Sequence, residues 1–392
     1  MKKAVLISCF NYYSNRIKYI EKYLTENNFE VIYIHSNFDH VKKCKVNNFE
    51  DIGNSQVIDV PIYKKNISIS RIHSHYIFSS EVYKSLKNIN PDLIYCILPP
   101  NFLTYYVSKF KDFKPNVKLI YDVYDLWPET FPISKYKKLF NYILRPWGAI
   151  RDWNLYNSDL IITECNYYQE LLNIKSEMIS KTETLYLMKP EEKKIQINEK
   201  KSDNKSLIKI AYLGSINNII DIDQIVHVLS KLNKYRSVEF SIIGVGEEKE
   251  HLLKKLQENL IDYIDFGVVY DTFEKQKILT NCDFAINMMK DSVAVGLTMK
   301  SIDYFQFGLP LINNIKGDTQ EMINTYKVGV NIDKKDFDKS VKDIITVYDH
   351  SLISYKKNSR KLFEKMFSEE VFFNNLSRIF EKHIWSKGEV HE

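Results

Sequence analysis

The stretch Val295-Gly-Leu-Thr-Met-Lys-Ser-Ile-Asp-Tyr-Phe-Gln-Phe-Gly-Leu-Pro-Leu-Ile-Asn-Asn314 reads as a loop, a helix and a strand in that order. We predict the helix over about Thr298–Phe307, because Gly308 is placed to cap its carboxyl end. The apolar run after Pro310 predicts a strand. A helix that leads directly into a short apolar strand is the repeating unit of an α/β protein with a parallel sheet.

Two charged side chains of this helix indicate a ligand. Lys300 lies in the first turn, where a cation is unfavourable against the helix dipole unless an anion binds there together with the free amides of Thr298, Met299 and Lys300. Asp303 lies three residues further on the same face, within reach of vicinal hydroxyls such as those of a ribose. The alternative is a surface helix with an incidental lysine and an i,i+3 charge pair.

The same alternation of short apolar runs and helical patterns extends in both directions from this stretch, which predicts parallel sheets covered by helices. In the second half, strands are predicted over Ile208–Leu213, Glu239–Ile243, Tyr263–Phe266, Asp283–Ile286 and Leu311–Asn313. In the first half they are predicted over Ala4–Phe10, Glu30–His35, Val57–Val60, Asp92–Leu98, Lys118–Val123 and Asp159–Thr163. Helical patterns lie between them, over Arg16–Glu26, Glu81–Lys87 and Lys135–Trp153.

A polar segment at residues 191–206 divides the chain. We therefore predict two Rossmann-like α/β domains, over residues 1–190 and 205–365. The final helix, Ser368–Ile384, begins with a capping-box-like Ser-Glu-Glu. A length of 392 residues agrees with two domains rather than one.

Charge is unevenly distributed along the chain. The net charge is +5, yet residues 1–151 hold 22 basic against 13 acidic residues, a balance of +9, and the remainder carries −4. A basic first half suits a partner with phosphates, such as an anionic lipid, or is an ordinary solvated surface.

The apolar segments and the cysteines indicate a reducing compartment and no membrane span. No apolar run approaches the roughly 20 residues that cross a bilayer, and Ala4–Phe10 reads as a first strand rather than a signal peptide. Cys9, Cys96 and Cys165 are expected to be buried thiols, since no pairing or metal-ligand spacing is present. We expect a cytoplasmic protein.

Two further glycine turns follow predicted strands of the second half. Gly214-Ser215 comes after Ile208–Leu213, and Gly244-Val-Gly246 comes after Glu239–Ile243. A glycine at the carboxyl end of a strand allows backbone amides to approach a phosphate, although such turns are common. We count Gly214, Ser215, Gly244 and Gly246 as candidate residues for binding a phosphate-bearing ligand.

Taken in order, these turns and the Lys300–Pro310 motif resemble GT-B glycosyltransferases, and most closely the family-4 group that builds bacterial capsular and exopolysaccharides. The segment Tyr121-Asp-Val-Tyr-Asp-Leu-Trp-Pro-Glu129 resembles the Asp-Leu-Trp-Pro-Glu signature of the same group. The resemblance implies two domains facing each other across a cleft, with the C-terminal helix, within residues 368–392, crossing back to the first domain.

The resemblance also implies the chemistry. It implies transfer with retention of configuration, no metal ion and no cofactor, from a nucleoside-diphosphate sugar whose nucleotide is expected to be UDP. The donor would bind the second domain, at Gly296, Leu297, Thr298 and Met299 with Lys300 and Asp303. The acceptor would be a glycan or a lipid-linked glycan, and nucleic acid is not an expected partner.

The sequence departs from the family pattern at three positions. The first of two glutamates that many members carry is Val295 here, and Asp303 matches the second. The usual arginine and lysine after the first glycine are Ser215 and Ile220, so Lys300 remains as the main expected cation. A catalytically degenerate partner subunit therefore remains an alternative, as does a sugar-nucleotide epimerase of the same fold. A nicotinamide dehydrogenase is excluded because no Gly-x-Gly-x-x-Gly turn follows the first strand.

The acceptor side is predicted in the first domain. Asp125 and Glu129 follow the strand Lys118–Val123 at its carboxyl end, where α/β sites form, and Trp127 lies between them. Two carboxylates there would orient an acceptor hydroxyl or take its proton; alternatively, Asp125 caps the following turn. Asn11 and Tyr12, after the first strand, are predicted to line the cleft.

Three other features receive structural interpretations. Asp221-Ile-Asp223 resembles a metal-binding motif, but helix capping explains it better. His73 and His75 are interpreted as surface residues. The segment Lys135–Trp153 suits a helix at the interface of an anionic membrane, or equally a helix packed on the sheet and interrupted at Pro146.

Overall fold

The computed structural model describes residues 1–10, 14–46, 54–66, 68–131, 137–172, 174–190 and 207–385. The chain forms two compact units. Unit 1 contains most of residues 1–185 together with the residues from Phe373 onward, and unit 2 contains Tyr186–Phe372. The polar segment 191–206 that we predicted as the linker lies outside the described residues.

Unit 1 is built on a seven-stranded parallel sheet with the strand order β5-β2-β1-β6-β7-β8-β9. Its strands are β1 (Lys2–Ser8), β2 (Phe29–Ser36), β5 (Asn54–Ile58), β6 (Leu93–Leu98), β7 (Lys118–Val123), β8 (Leu160–Thr163) and β9 (Thr182–Thr184). A short antiparallel pair, β3 (Phe38–Asp39) and β4 (Cys44–Lys45), is separate. All six residues of β6 are buried, as expected for a central strand covered on both faces.

The helices of unit 1 are α1 (Ser14–Glu26), α2 (Ile69–Ile89), α3 (Phe102–Phe113), α4 (Lys137–Asn154), α5 (Asn166–Leu171) and α6 (Ser176–Ile179). Helix α2 is much longer than the predicted Glu81–Lys87. The predicted interruption at Pro146 is wrong, because α4 continues through this proline as one helix. Pro146 has no backbone N–H, so the helix lacks one hydrogen-bond donor at this position but continues on both sides of it. None of the helices among the described residues is both long and apolar enough to cross a bilayer.

Unit 2 has a six-stranded, all-parallel sheet with the order β12-β11-β10-β13-β14-β15. The strands are β10 (Leu207–Leu213), β11 (Ser237–Ile243), β12 (Asp262–Gly267), β13 (Phe284–Asn287), β14 (Leu311–Asn313) and β15 (Gly329–Asn331). The helices are α7 (Ile222–Asn233), α8 (Lys249–Glu258), α9 (Thr272–Thr280), α10 (Met299–Gln306), α11 (Asp318–Tyr326), α12 (Phe337–Thr346) and α13 (Leu352–Met366). Strand β10 lies in the middle of the order, so its carboxyl end is flanked by two strands.

The last helix, α14 (Glu369–His383), joins unit 1 from Phe373 onward. The ring of Tyr23 contacts Phe380 at 5.0 Å between centroids, and Phe29 stacks on Trp385 at 5.7 Å. Lys382 Nζ and His383 Nε2 lie 2.6 and 3.0 Å from Glu183 Oε1. The prediction that the C-terminal helix crosses back to the first domain is confirmed, as is the class of two parallel-sheet α/β domains.

Candidate functional site

The loop after β10 places a glycine under the side chain of Lys300. Gly214 has a φ of +114°, and a Cβ at this position would lie 2.8 Å from Lys300 Cε. Any larger residue would displace the lysine, because both the backbone conformation and the space favour glycine. The structure thus brings together the predicted donor residues Gly214, Ser215 and Lys300.

The ammonium group of Lys300 is held by neutral partners. Lys300 Nζ donates to Tyr212 Oη at 2.7 Å and lies 3.4 Å from the Ser215 carbonyl oxygen. Tyr212 Oη in turn donates to the same carbonyl at 2.8 Å. Burial of Lys300 without a counter-charge lowers its pKa from the ordinary 10.5 to about 7. The site therefore holds a cation whose charge an anion would stabilise.

The start of α10 is fixed from several sides. Thr298 is the N-cap, and its hydroxyl accepts from the Ser301 amide at 3.1 Å. Asn287 Nδ2 donates to Thr298 Oγ1 at 2.7 Å and to Ser301 Oγ at 3.0 Å. The Gly296 carbonyl accepts from both the amide and the hydroxyl of Thr319, at 2.8 and 2.7 Å. The first-turn amides of the helix thus have a fixed direction, as an anion site requires.

Of the two other residues predicted at this loop, Leu297 is buried and Met299 is exposed. The side chain of Leu297 therefore anchors the loop in unit 2, whereas that of Met299 faces solvent. Contacts of these residues with a nucleotide-sugar donor stay predictions, as they do for the other residues predicted to bind the donor.

Gly244 and Gly246 have a packing function. A Cβ on Gly244 would lie 2.0 Å from the Gly214 carbonyl oxygen, and one on Gly246 would lie 2.0 Å from the Ile216 carbonyl oxygen. The Gly214 amide donates to Ile243 O at 2.8 Å, and the Ile216 amide donates to Val245 O at 2.9 Å. The loop after β11 thus supports the loop after β10 by direct backbone contact, which accounts for both glycines without a ligand.

Asp303 is paired with a lysine that the sequence analysis did not consider. Lys189 Nζ donates to Asp303 Oδ1, and the two side chains are 24% and 13% exposed. Lys189 belongs to unit 2, and its backbone amide donates to Phe367 O of the same unit at 3.1 Å. Gln306 Nε2 of α10 also donates to the Pro190 carbonyl, at 2.8 Å. The Lys189–Asp303 pair therefore adds a second cation beside the helix that carries Lys300.

In unit 1, Asp125 is a half-buried carboxyl that follows the carboxyl end of β7. Trp127 Nε1 donates to its Oδ2 at 2.7 Å, and Thr130 Oγ1 donates to its Oδ1 at 2.8 Å. Burial raises the pKa of Asp125, whereas these two hydrogen bonds and the charge of Arg71 lower it, and burial is the larger effect. The carboxyl both closes its own turn and remains a candidate proton acceptor.

Glu129 is bound to a buried arginine. Arg151 Nη1 and Nη2 lie 2.9 and 2.8 Å from the two oxygens of Glu129, and Arg151 is 1% exposed. Arg151 also donates to the Trp127 carbonyl at 2.6 Å. This bidentate pair fixes the turn after β7 to α4. The role of Glu129 toward an acceptor stays a prediction, beside this structural function.

Trp127 packs within a group of aromatic rings. His75 stacks on it at 5.9 Å between centroids, and Arg71 Cζ lies 3.9 Å from its ring centroid. The prediction that His75 is a surface residue is wrong: it is fully buried, and burial together with Arg71 and His40 lowers its pKa well below 6.5. The cause is tertiary packing: His75 contacts the rings of Phe10, Tyr63 and Trp127, whereas His73, two residues earlier in α2, stays exposed.

The remaining candidate residues are settled or lie outside the described part. Asn11 and Tyr12 lie outside the described residues. Asp221 is the N-cap of α7 and accepts from the Gln224 amide at 3.1 Å, as predicted. Cys9, Cys96 and Cys165 are buried thiols, as predicted. Within the described ranges, no three His, Cys, Asp or Glu side chains converge as metal ligands would.

Sequence reasoning missed four residues that build these sites. Tyr212 and Asn287 end buried strands, where a polar side chain in an apolar run is a usable signal. Lys189 and Arg151 gave no comparable signal, because each pairs with a residue more than 20 positions away.

Among known protein families, one match falls within unit 2. Residues 208–350, within unit 2, match the family model described as "Glycosyl transferases group 1". No curated protein sequence matches the chain.

Solved structures share the fold of the whole chain. Sucrose-phosphate synthase from Thermosynechococcus elongatus has a TM-score of 0.70 and 11% identity, covering 97% of this chain and 99% of its own. The apo form of the lipopolysaccharide outer core galactosyltransferase WaaB has a TM-score of 0.65 and 14% identity, with 97% and 99% coverage. Anabaena Alr3699/HepE in complex with UDP has a TM-score of 0.66 and 12% identity, with 97% and 100% coverage.

Proposed function

We propose that the chain is a glycosyltransferase that moves a sugar from a nucleoside-diphosphate sugar, with UDP as the expected nucleotide, to a glycan or lipid-linked glycan. The observation that carries the proposal is Lys300, a half-buried cation with neutral partners at the start of α10, within the residues that match the glycosyl transferases group 1 model. The finer proposal is a retaining, metal-independent reaction in cell-surface polysaccharide assembly, at the inner face of the plasma membrane.

The proposed role of Lys300 is to stabilise the charge that develops on the departing diphosphate. Its side chain lies beside the Gly214–Ser215 loop, where the ammonium group would act together with free amides of the first turn of α10. Burial lowers the pKa of Lys300 to about 7. The negative charge of a bound diphosphate would raise this pKa again and keep the lysine charged. Asp303 would accept the ribose hydroxyls with the oxygen that Lys189 leaves open.

The proposed acceptor residue in unit 1 is Asp125. Its pKa is raised by burial, and a carboxylate with a raised pKa is a better proton acceptor than an ordinary one. Glu129, through Arg151, holds the turn in which Asp125 and Trp127 lie. We propose Glu129 as a positioning residue that acts together with Asp125.

The first experiment is a thermal-shift screen against nucleoside diphosphates and their sugars. A ligand at 100 times its dissociation constant should stabilise the protein by about 2.7 kcal/mol. The best donor is then incubated with lipid-linked glycans, and transferred sugar is measured by mass spectrometry. Transfer supports the proposal; conversion of the donor to an isomeric sugar nucleotide without an acceptor would identify an epimerase. Donor binding without either product would indicate a partner subunit.

The Asp125→Asn variant tests the acceptor assignment. Asn keeps the shape and the hydrogen bond from Thr130 but cannot take a proton, so we expect transfer to fall by at least about 100-fold. Donor affinity, measured by calorimetry, should stay within about twofold of the wild type, because Asp125 lies in unit 1 and the donor residues lie in unit 2. Full activity of the variant would remove Asp125 from the reaction.

A further inference from the structure

The outer surfaces of α2 and α3 carry a continuous group of aromatic rings. We call it the tyrosine face; it consists of Tyr76, Tyr83, Phe102, Tyr105, Tyr106 and Phe113. Tyr76 meets Phe102 at 5.8 Å and Tyr106 at 5.9 Å between centroids. Tyr106 also contacts Tyr105 at 5.2 Å and Tyr83 at 6.2 Å. Five of these rings therefore form one connected group across two helices, and Phe113 is linked to them through Lys87, whose Nζ lies over both the Tyr83 and the Phe113 rings.

Much of this surface is open to solvent. Tyr76 is 44% exposed, Tyr105 47% and Phe113 68%, and Ile69 at the start of α2 is 85% exposed. Single exposed apolar residues are ordinary, but a connected group of them marks an interaction site. The tyrosine face is thus a surface that another molecule would cover.

Two lysines lie across the rings. Lys87 Nζ is 4.7 Å from the Tyr83 ring centroid and 5.5 Å from that of Phe113, and Lys109 Nζ is 5.5 Å from that of Tyr83. Their hydrocarbon stems cover apolar surface while the ammonium groups stay in water. Within the part of the chain that the structure describes, no ion pair involves Lys87 or Lys109.

Acidic residues offset this charge only in part, because α2 and α3 contain five basic residues, Arg71, Lys84, Lys87, Lys109 and Lys111. The two helices contain two acids, Glu81 and Asp112. Glu81 is paired with Lys84 at 2.7 Å. Asp112 accepts from Asn157 Nδ2 at 3.3 Å, on the turn that follows α4. The tyrosine face therefore combines aromatic surface with excess positive charge.

We propose that the tyrosine face binds an anionic lipid bilayer at the boundary between headgroups and acyl chains. Tyrosine prefers this boundary because its ring is apolar and its hydroxyl is polar, and lysine is attracted to anionic headgroups. A protein partner fits less well, since the cores of protein interfaces are depleted of lysine. The proposal concerns α2 and α3, and it does not depend on the sugar-transfer reaction or on the predicted membrane contact of α4.

The neighbouring helix is compatible with this placement. Thr104 Oγ1 donates to Ile150 O at 3.1 Å and Ser108 Oγ donates to Asn154 O at 3.0 Å, so α4 packs directly beside α3. Helix α4 carries Trp153, which is 75% exposed. Tryptophan has the same interfacial preference as tyrosine.

The test is sedimentation with vesicles of phosphatidylcholine, with and without phosphatidylglycerol. The lysine variant Lys87→Gln/Lys109→Gln changes exposed side chains only. The full variant adds Tyr105→Ser and Phe113→Ser. The matched control in unit 2 makes the same four kinds of change at Tyr270, Phe273, Lys275 and Lys277, where Tyr270 is 89% and Phe273 75% exposed. Circular dichroism melts establish that each variant is folded.

We expect the wild type to bind phosphatidylglycerol vesicles much more tightly than pure phosphatidylcholine. Each lysine change should weaken binding about fivefold, and added salt should reproduce this loss. The full variant should lose more, and the control should bind like the wild type. Because no donor or acceptor is present, this result is independent of the proposed function.

Three results would overturn the proposal. One is wild-type vesicle binding by the full variant, and another is an equal loss in the control. The third is a loss that appears only when Lys137, Lys138 and Arg145 of α4 are neutralised. If sedimentation velocity instead shows that the full variant loses self-association while vesicle binding is unchanged, the tyrosine face is an interface between copies of the chain.

Discussion

Lys300 is costly to the folded protein, which is expected of a binding residue. Its pKa falls from 10.5 to about 7 because burial disfavours the charged form. Its partners, Tyr212 and the Ser215 carbonyl, are neutral. Lys300 lies in the first turn of α10, and its side chain reaches the loop at the end of the central strand β10. A residue that destabilises its own fold at such a place is better explained by a ligand than by packing.

This cost predicts a pH-dependent gain of stability on replacement. The folded-state pKa is lowered, so the penalty is fully present below about pH 7 and disappears as pH rises through 7 to 10.5. We expect Lys300→Met to raise Tm by a few degrees at pH 6 to 7 relative to the wild type. The difference should shrink toward pH 10, as measured by scanning calorimetry. A variant with the same Tm as the wild type at every pH would show that Lys300 is solvated.

Two variants distinguish the proposed ribose-binding role of Asp303 from the effect of its ion pair with Lys189. If Asp303 binds the ribose, the wild type should prefer UDP over 2′-deoxy-UDP by about tenfold, the value of a hydrogen bond to a charged group. Asp303→Asn should remove this preference. Lys189→Met breaks the same ion pair but leaves the carboxylate, so it should keep the preference. Calorimetric titration measures both; a preference that survives in Asp303→Asn would contradict the ribose assignment.

At the scale of elements, the contact between the loops after β10 and β11 determines where the predicted donor-binding residues Gly214 and Ser215 lie. This contact leaves no space for a Cβ on Gly246, which would lie 2.0 Å from the Ile216 carbonyl oxygen. Backbone hydrogen bonds to Ile243 and Val245 thus hold the loop that carries Gly214 and Ser215. Helix α10 covers it from the other side through Lys300 and through Tyr304, whose hydroxyl accepts from the Leu213 amide at 2.7 Å.

Replacing these glycines should have unequal effects. Gly246→Ala should lower the free energy of unfolding by about 3 kcal/mol, because the two loops must separate. Gly267 is the matched control: its φ is +64° and no atom lies within 4 Å of the position of a Cβ, so Gly267→Ala should cost only about 1 kcal/mol of backbone strain. Urea unfolding measures both. Equal costs would mean that the loops adjust freely.

The sequence predicts which strands and helices exist better than it predicts the lengths of the helices or the tertiary contacts of their side chains. Buried strands such as β6 and β7 were found because continuous apolar runs are distinctive, and α10 was placed to within a residue at each end by its N-cap and glycine. The length of α2 was missed because serines and histidines interrupt its pattern. His75 was misplaced for the same reason, since its burial depends on tertiary packing against Trp127.

The candidate sites follow the same division. Lys300, Asp303 and Asp125 were identified from their positions at the ends of elements. Their partners were not, because Lys189 is 114 residues from Asp303 and local patterns cannot reveal such a contact. The partner of a side chain depends on the tertiary fold, whereas the start of a helix is determined by a few consecutive residues.

At the scale of the whole molecule, the two units differ in charge as well as in content. Residues 1–151, nearly all in unit 1, carry +9, and the rest of the chain carries −4. Unit 2 holds Lys300 and the family match, and unit 1 holds Asp125 and the tyrosine face. This division fits a protein in which one unit binds a soluble nucleotide sugar and the other meets a phosphate-bearing acceptor at a surface.

The central claim is that unit 2 binds the diphosphate of a donor through Lys300. Its most direct test is calorimetric titration of UDP and of uridine into the wild type and Lys300→Ala, below pH 7, where Lys300 is charged. We predict that the wild type binds UDP far more tightly than uridine. The variant should lose at least tenfold in UDP affinity, about 1.4 kcal/mol, with uridine affinity unchanged. An equal loss for both ligands, or no loss for UDP, would contradict the account.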